Sequence, residues 1–165
     1  MDNARPFAGR TLLSESESRT IEIGRCVGKR LEPGDVVLLI GELGAGKTRF
    51  VQGIVEGIGL DEPARSPTFV LVSEYEGRVR LLHSDLYRLA STAEVDDLGL
   101  LESVEEGAAL AVEWADRARA AFPSDALMVT IEAPAAAEAR RITLEAGGDR
   151  SARLLRGLLD EVSRG

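Results

Sequence analysis

Hydrophobic positions along the chain alternate between a spacing typical of buried strands and one typical of helices. Continuous apolar runs, as in strands buried on both faces of a parallel sheet, cover residues 36–40 and 108–112, and residues 127–131 also have strand-like composition. Apolar residues that recur every three or four positions, as on one face of a helix, cover residues 14–30, 47–58, 115–121 and 151–163. This alternation predicts an α/β fold.

Shorter stretches complete the predicted sheet. Residues 69–75 and 79–85 have strand-like composition and are separated by the turn sequence EGR, which predicts a β-hairpin. Short strands are also expected at residues 10–13 and 141–144, with two short helices between residues 92 and 106. We expect a single domain over residues 1–165, with a mostly parallel central sheet, an antiparallel hairpin and helices on both faces.

Composition narrows the class of protein. The net charge of −8 would oppose binding to a phosphate backbone. Apolar runs stay well short of the roughly 20 residues that a membrane-spanning helix needs, and the first residues, MDNARPFAGR, have no apolar signal-peptide core. The single cysteine, Cys26, fits a reducing compartment. We expect a cytoplasmic protein without a membrane or a direct nucleic-acid partner.

A glycine-rich stretch between a predicted strand and a predicted helix carries the clearest chemistry. Residues 41–48, GELGAGKT, fit the phosphate-binding loop (P-loop) pattern GxxxxGK[ST]. In this motif, backbone amides surround the β-phosphate, Lys47 reaches the β- and γ-phosphates, and the Thr48 hydroxyl takes a magnesium position. The other basic residues, apart from Lys29, are all arginine, which indicates that arginine would not serve at position 47. The pattern predicts a nucleoside triphosphate site.

The sequence lacks the motif that recognises guanine, and this indicates which base the nucleotide carries. A guanine-reading NKxD motif needs an asparagine, and the only asparagine is Asn3. The tetrapeptide DDLG at residues 96–99 fits the GTPase pattern DxxG, but a pattern with two fixed positions carries no weight. We therefore expect adenine.

Two carboxylates at strand ends are candidates for holding the metal and positioning the attacking water, which a P-loop enzyme requires. Glu113 follows the apolar run ALAV, and Asp85 ends the second hairpin strand. For each of the two, metal binding and water positioning both stay open. A plain role in solubility stays open as well, because charged residues also occur at the ends of strands. His83 is more typical of a hydrogen-bonded structural residue. The segment SPT, residues 66–68, is either a switch that senses the γ-phosphate or a turn before the hairpin.

Four motifs in series, GELGAGKTRF, SPTFVLVSEY, HSDLYRL and VEWAD, resemble those of the TsaE (YjeE) family of bacterial P-loop ATPases, from about residue 14 to residue 141. The resemblance implies a P-loop NTPase fold and Mg²⁺-dependent hydrolysis of ATP. It also implies a part in making threonylcarbamoyladenosine beside the anticodon of tRNA. Family members bind a TsaD–TsaB heterodimer, which their hydrolysis is thought to reset between turnovers.

The resemblance also assigns roles to individual residues. It assigns ATP binding to Gly41, Glu42, Leu43, Gly44, Ala45, Gly46, Lys47, Thr48, Arg49, Thr68 and Arg140. It assigns catalysis to Asp85, Glu113 and Lys47, and Mg²⁺ to Thr48 and Glu113. Trp114 is expected close to the nucleotide. Arg141, which follows Arg140 in the sequence, is the alternative candidate for the arginine that contacts the nucleotide.

Three positions depart from the family's pattern. The usual EWP is EWA here, the usual aromatic between the histidine and the aspartate is Ser84, and the usual second threonine after GKT is Arg49. None of these changes removes a phosphate or metal ligand.

Two other functions remain as alternatives. A small-molecule kinase of the shikimate kinase type has a similar length and P-loop, but the chain lacks its DxD pair and its triple-glycine substrate loop. The second alternative is a nucleotide-sensing binding module that hydrolyses nothing.

Overall fold

The strand that precedes the P-loop lies in the middle of a sheet. The computed structural model describes residues 9–42, 44–64, 71–89, 91–134 and 139–164. Within these ranges the strands are β1 (Arg10–Ser14), β2 (Val36–Ile40), β3 (Val72–Glu76), β4 (Arg80–Asp85), β5 (Ala109–Glu113), β6 (Leu127–Glu132) and β7 (Arg140–Ala146). They form a sheet in the order β1-β7-β6-β2-β5-β4-β3.

The centre of the sheet is parallel and both flanks are antiparallel. Strands β6, β2, β5 and β4 pair in parallel, and β3 returns antiparallel to β4, which confirms the predicted hairpin. On the other flank, β7 is antiparallel to both β6 and β1. The prediction of a mostly parallel sheet was therefore too strong, because half of the pairings between described strands are antiparallel.

Helices cover both faces of the sheet, as predicted. The helices are α1 (Glu17–Arg30), α2 (Lys47–Gly57), α3 (Thr92–Asp96), α4 (Leu100–Glu105) and α5 (Asp149–Arg164), with a 3-10 helix over Ala115–Ala121. One apolar core joins α1, α2 and α5 to one face, and a second joins α3, α4 and the 3-10 helix to the other. Among the described residues, no helix is long and apolar enough to cross a membrane.

Several predicted boundaries were wrong by a few residues. Helix α1 begins at Glu17, because the Ser16 hydroxyl caps it by accepting from the Arg19 amide, while Ser14 ends β1. Within the described residues, the first hairpin strand begins at Val72, because Leu71 forms a bend, and residues 69 and 70 of the predicted strand lie outside the described ranges. The segment 115–121 is a 3-10 helix with a non-helical residue, Ala118, inside it, whereas an uninterrupted helix was expected.

Helices α1 and α2 approach so closely that their backbones touch. The contact is made by a pair of glycines four residues apart on each helix, namely Gly24, Gly28, Gly53 and Gly57. A Cβ atom at Gly53 would lie 2.0 Å from the carbonyl oxygen of Ile21, and one at Gly24 would lie 2.2 Å from that of Phe50. Side chains at these positions would force the helices apart, so the glycines set the distance of α1 from the P-loop helix.

We expect Gly53→Ala to lower the free energy of unfolding by about 2–3 kcal/mol. The methyl group would collide with backbone that cannot swing away, and this outweighs the roughly 1 kcal/mol gained from alanine's higher helix propensity. Chemical denaturation checks the value. Gly157→Ala in α5 is the matched control, because the three atoms nearest to its Cβ all belong to the flexible side chain of Arg30. Equal stability changes in the two variants would contradict the close-packing account.

Candidate functional site

The P-loop connects the end of β2 to the start of α2. Gly46 caps α2 with a left-handed backbone, φ 111°, a conformation that favours glycine. A Cβ at Gly41 would lie 2.6 Å from the carbonyl oxygen of Ile131, so this position accepts no side chain. Leu43 lies outside the described residues. The turn thus brings the first amides of α2, and the positive end of its dipole, to the carboxyl edge of the parallel strands.

A cavity of about 390 Å³ lies against this loop. It is lined by Glu17, Thr20, Gly44, Gly46, Lys47, Thr48, Arg49, Asp85, Glu113, Trp114 and Arg140. The cavity therefore unites the P-loop with both strand-end carboxylates predicted from the sequence. Its position, outside the carboxyl ends of the strands, is the usual place for a ligand in an open α/β sheet.

Lys47 is almost completely buried inside this site. Its Nζ donates hydrogen bonds to the carbonyl oxygens of Gly41, at 2.6 Å, and Glu42, at 3.0 Å. The same Nζ lies 4.2 Å from the centroid of the Trp114 ring, a cation–π contact. Burial lowers the pKa of Lys47, and nearby carboxylates, Glu113 first among them, oppose that shift. The ammonium group is held among backbone oxygens and an aromatic face, in a space shaped for a compact charge.

Glu113 joins the P-loop helix to the neighbouring strand. The Thr48 hydroxyl donates to its carboxylate, at 3.1 Å from Oε1 and 3.2 Å from Oε2. On the other side, Nε2 of His83 lies 2.6 Å from Glu113 Oε2, and both side chains are buried. This contact between β4 and β5 gives His83 the hydrogen bond expected from the sequence, but its partner, Glu113, was not predicted.

Asp85 lies directly opposite Glu113 in the pairing of β4 with β5. Its Oδ1 accepts a hydrogen bond from the Tyr87 amide at 2.9 Å. Burial raises the pKa of Asp85, and the charge of Glu113 adds to that rise, while the Tyr87 amide, His83 and Lys47 oppose it. A carboxylate whose ionised form is disfavoured in this way is a better proton acceptor than an ordinary aspartate.

Two arginines line the cavity beside the loop, Arg140 from β7 and Arg49 from α2. Arg140 on β7 donates from Nε to the carbonyl oxygen of Ala45 at 2.7 Å and lines the cavity, whereas Arg141 is exposed. The structure therefore places the first of these two candidates at the P-loop. Arg49 lines the cavity too, and its Nε lies 3.7 Å from a carboxylate oxygen of Glu17.

Trp114 adopts an unusual backbone conformation immediately after Glu113. Its φ of 59° is left-handed, which costs a non-glycine residue about 1–2 kcal/mol. The centroid of its ring lies 5.0 Å from that of the half-exposed Tyr87. The Arg117 guanidinium lies 5.3 Å from the Tyr87 centroid and 5.6 Å from the Trp114 centroid. The turn thereby directs the chain's only tryptophan into the cavity, beside Lys47.

Sequence reasoning missed the wall that α1 contributes. Glu17 and Thr20 line the cavity from the first turn of this helix. The signal was present in the repeated four-residue glycine spacing of both helices, which brings α1 against α2. Thr68 and the segment 66–68, predicted as a nucleotide contact and a switch, lie outside the described residues.

The oxygen atoms at Thr48 and Glu113 fit a magnesium ion. Mg²⁺ prefers hard oxygen ligands and is usually held by one or two carboxylates together with substrate phosphates and water. Over the described ranges, no cluster of three or more histidines, cysteines, aspartates or glutamates is arranged to hold a metal alone. A hydroxyl and a carboxylate beside a phosphate-binding loop supply the partial ligand set that such an ion takes from a protein.

Comparisons with known proteins agree on one family. The model of the family "Threonylcarbamoyl adenosine biosynthesis protein TsaE" matches residues 14–142. The chain is 41% identical over 119 residues to the tRNA threonylcarbamoyladenosine biosynthesis protein TsaE of Treponema pallidum, covering 72% of this chain and 88% of the relative. Identity to the protein of the same name from Bacillus subtilis is 38% over 146 residues, or 88% of each chain.

The fold matches a solved structure as well. The crystal structure of Bacillus subtilis YdiB aligns with a TM-score of 0.81 and 31% sequence identity, over 94% of this chain and 97% of that one. Because the family model spans most of the sequence and the relatives align over most of their own lengths, this chain belongs to the TsaE family of tRNA threonylcarbamoyladenosine biosynthesis proteins.

Proposed function

We propose that this protein is a Mg²⁺-dependent ATPase that converts ATP to ADP and phosphate. In this proposal it is the energy-coupling subunit of tRNA threonylcarbamoyladenosine synthesis, and it works with a TsaD–TsaB heterodimer. The observation that carries the ATPase proposal is that the P-loop, Lys47, Thr48, Asp85 and Glu113 all line one cavity. The family membership carries the pathway. A cytoplasmic location follows from a role in tRNA modification.

Each side chain has a task that its surroundings support. The loop amides and Lys47 would bind the β- and γ-phosphates, and the cation at Lys47 would offset negative charge there. Thr48 and Glu113 would hold Mg²⁺, which when bound neutralises charge on the phosphates. Asp85 would orient the attacking water and accept its proton, a task that its raised pKa favours.

The net charge bears on which subunit would contact the tRNA. The chain has a net charge of −8, which opposes direct contact with tRNA, so other subunits would handle the RNA.

Arg140 already donates hydrogen bonds to the P-loop carbonyls of Ala45 and Gly44. We expect slow hydrolysis by the isolated chain, with the partners completing the site, because P-loop enzymes often need an arginine supplied by another protein.

We expect Lys47→Arg to weaken ATP binding at least about tenfold. The planar guanidinium is larger than an ammonium group and carries a fixed donor geometry, so it will not fit the space between the loop carbonyls and the Trp114 ring. Fluorescence of the single tryptophan, Trp114, measures the affinity. Lys29→Arg is the matched control, since the Lys29 side chain is 52% exposed and should tolerate the exchange. Binding of ATP by Lys47→Arg with wild-type affinity would contradict the proposed lysine role.

We expect Asp85→Asn to reduce ATP hydrolysis about 100-fold or more, a loss typical for a general base, without weakening nucleotide binding. The variant should melt at the same or a higher temperature at pH 7, because an acid with a raised pKa destabilises the fold when ionised. That advantage should shrink as the pH falls through the raised pKa and disappear below the ordinary value of 3.8, where the wild-type carboxyl is protonated in both states. Phosphate release and thermal melting give the two readouts, with Asp97→Asn on the exposed surface as control. Undiminished hydrolysis would exclude Asp85 as the base.

We expect the modification yield of limiting TsaD and TsaB on tRNA to rise several-fold when this protein is added with ATP. The same protein carrying Asp85→Asn should bind the heterodimer but not raise the yield, because we attribute the effect to hydrolysis. A yield that is the same with and without the protein would refute the pathway role. Full support from Asp85→Asn would favour the non-hydrolysing sensor. ATP turnover that requires an added small-molecule acceptor would favour the kinase.

A further inference from the structure

His83 is a fully buried histidine that contacts a carboxylate of the candidate site. It occupies β4, opposite Ala111 of β5 and Ser73 of β3. Its exposed fraction is 0%, and its Nε2 lies 2.6 Å from Glu113 Oε2. The contact joins a residue two positions before Asp85 to the carboxylate that accepts from Thr48.

The surroundings of Nδ1 indicate which ring nitrogen of His83 carries the hydrogen. Within the part of the chain that the structure describes, Nδ1 of His83 is buried and has no hydrogen-bond partner. A buried N–H donor left alone costs more than a bare lone pair on nitrogen, so the hydrogen belongs on Nε2. His83 therefore donates this hydrogen to Glu113.

The hydrogen bond restricts how the Glu113 carboxylate can turn. Oε2 accepts from His83 at 2.6 Å, while Thr48 Oγ1 contacts both oxygens, at 3.1 Å and 3.2 Å. Rotation of the carboxylate away from the P-loop would break the shortest of these hydrogen bonds, the one between His83 and Oε2. A carboxylate that binds a metal through one oxygen is commonly fixed by a hydrogen bond to the other.

We propose that His83 is a positioning residue for Glu113, whose Nε2–H holds Oε2 so that Oε1 stays directed to Thr48 and the proposed Mg²⁺ site. This inference rests on the proposed function, since it assumes that Glu113 binds Mg²⁺. It assigns no proton transfer to His83. It also differs from a purely structural role, because it predicts that losing the donor weakens Mg²⁺ binding even where the fold remains equally stable.

Three substitutions separate the donor from the bulk of the ring. His83→Gln places an amide N–H near the position of Nε2, His83→Asn reaches only as far as Nδ1, and His83→Leu removes the donor. Ser84→Ala is the matched control. Ser84 is the buried neighbour on the same strand, its hydroxyl donates to the carbonyl of Leu71, and it is absent from the cavity lining.

The experiment measures the affinity for a non-hydrolysable ATP analogue with and without Mg²⁺, read from Trp114 fluorescence, alongside thermal melting. We expect His83→Leu and His83→Asn to weaken the apparent Mg²⁺ affinity about tenfold, the lower end of the usual effect of losing an outer hydrogen bond at a metal site. His83→Gln and Ser84→Ala should stay close to wild type. Affinity for the analogue without Mg²⁺ should be unchanged in all four variants.

Specific results would overturn the inference. Wild-type Mg²⁺ affinity in His83→Asn, or an equal loss in His83→Gln and His83→Asn, would show that the donor at Nε2 does not matter. Should His83→Leu fail to fold, the two amide variants still decide the question. If Mg²⁺ does not change the affinity of the wild type for the analogue, the proposed function itself fails. If every variant responds to Mg²⁺ as the wild type does, only the role proposed for His83 fails.

Discussion

The parallel pairing of β5 with both β2 and β4 is the constraint on which the site depends. Glu113 stands opposite Leu39 of β2 on one side and opposite Asp85 of β4 on the other. Parallel strands end at the same edge, so this register brings both carboxylates beside the loop that leaves β2. A shift by one residue would turn Glu113 toward the opposite face of the sheet and separate it from Thr48 and His83.

Close packing of α1 on α2 carries that geometry to the outer wall of the cavity. The glycine contacts fix α1 against the P-loop helix, and the first turn of α1 then contributes Glu17 and Thr20 to the lining. Thr20 is itself held by a 2.7 Å hydrogen bond with Ser14 at the end of β1. Contacts outside the cavity thus determine its width, because packed interiors transmit small displacements.

The sequence was sufficient for the features that depend on local patterns. Continuous apolar runs predicted β2 and β5, the P-loop motif predicted the turn into α2, and strand-end position selected Asp85 and Glu113. The antiparallel flank was not predicted, because short strands such as β1 and β7 do not specify their partners. The His83–Glu113 contact also escaped prediction, because it joins residues 30 positions apart. It arises from the register of β4 on β5 and from burial, and a one-dimensional pattern contains neither.

The charges in the cavity favour a ligand that carries both a polyanion and a cation. Burial raises the pKa of Asp85 and lowers that of Lys47, so the folded protein disfavours the ionised form of each. Phosphate oxygens at Lys47 would stabilise its ammonium form, and a metal ion at Glu113 would reduce the repulsion that raises the pKa of Asp85. The phosphates would thus offset the desolvation of Lys47, the metal ion would offset the repulsion between Glu113 and Asp85, and the two components attract each other directly. Binding of nucleotide and of Mg²⁺ should therefore strengthen one another by the same factor, as reciprocal coupling requires.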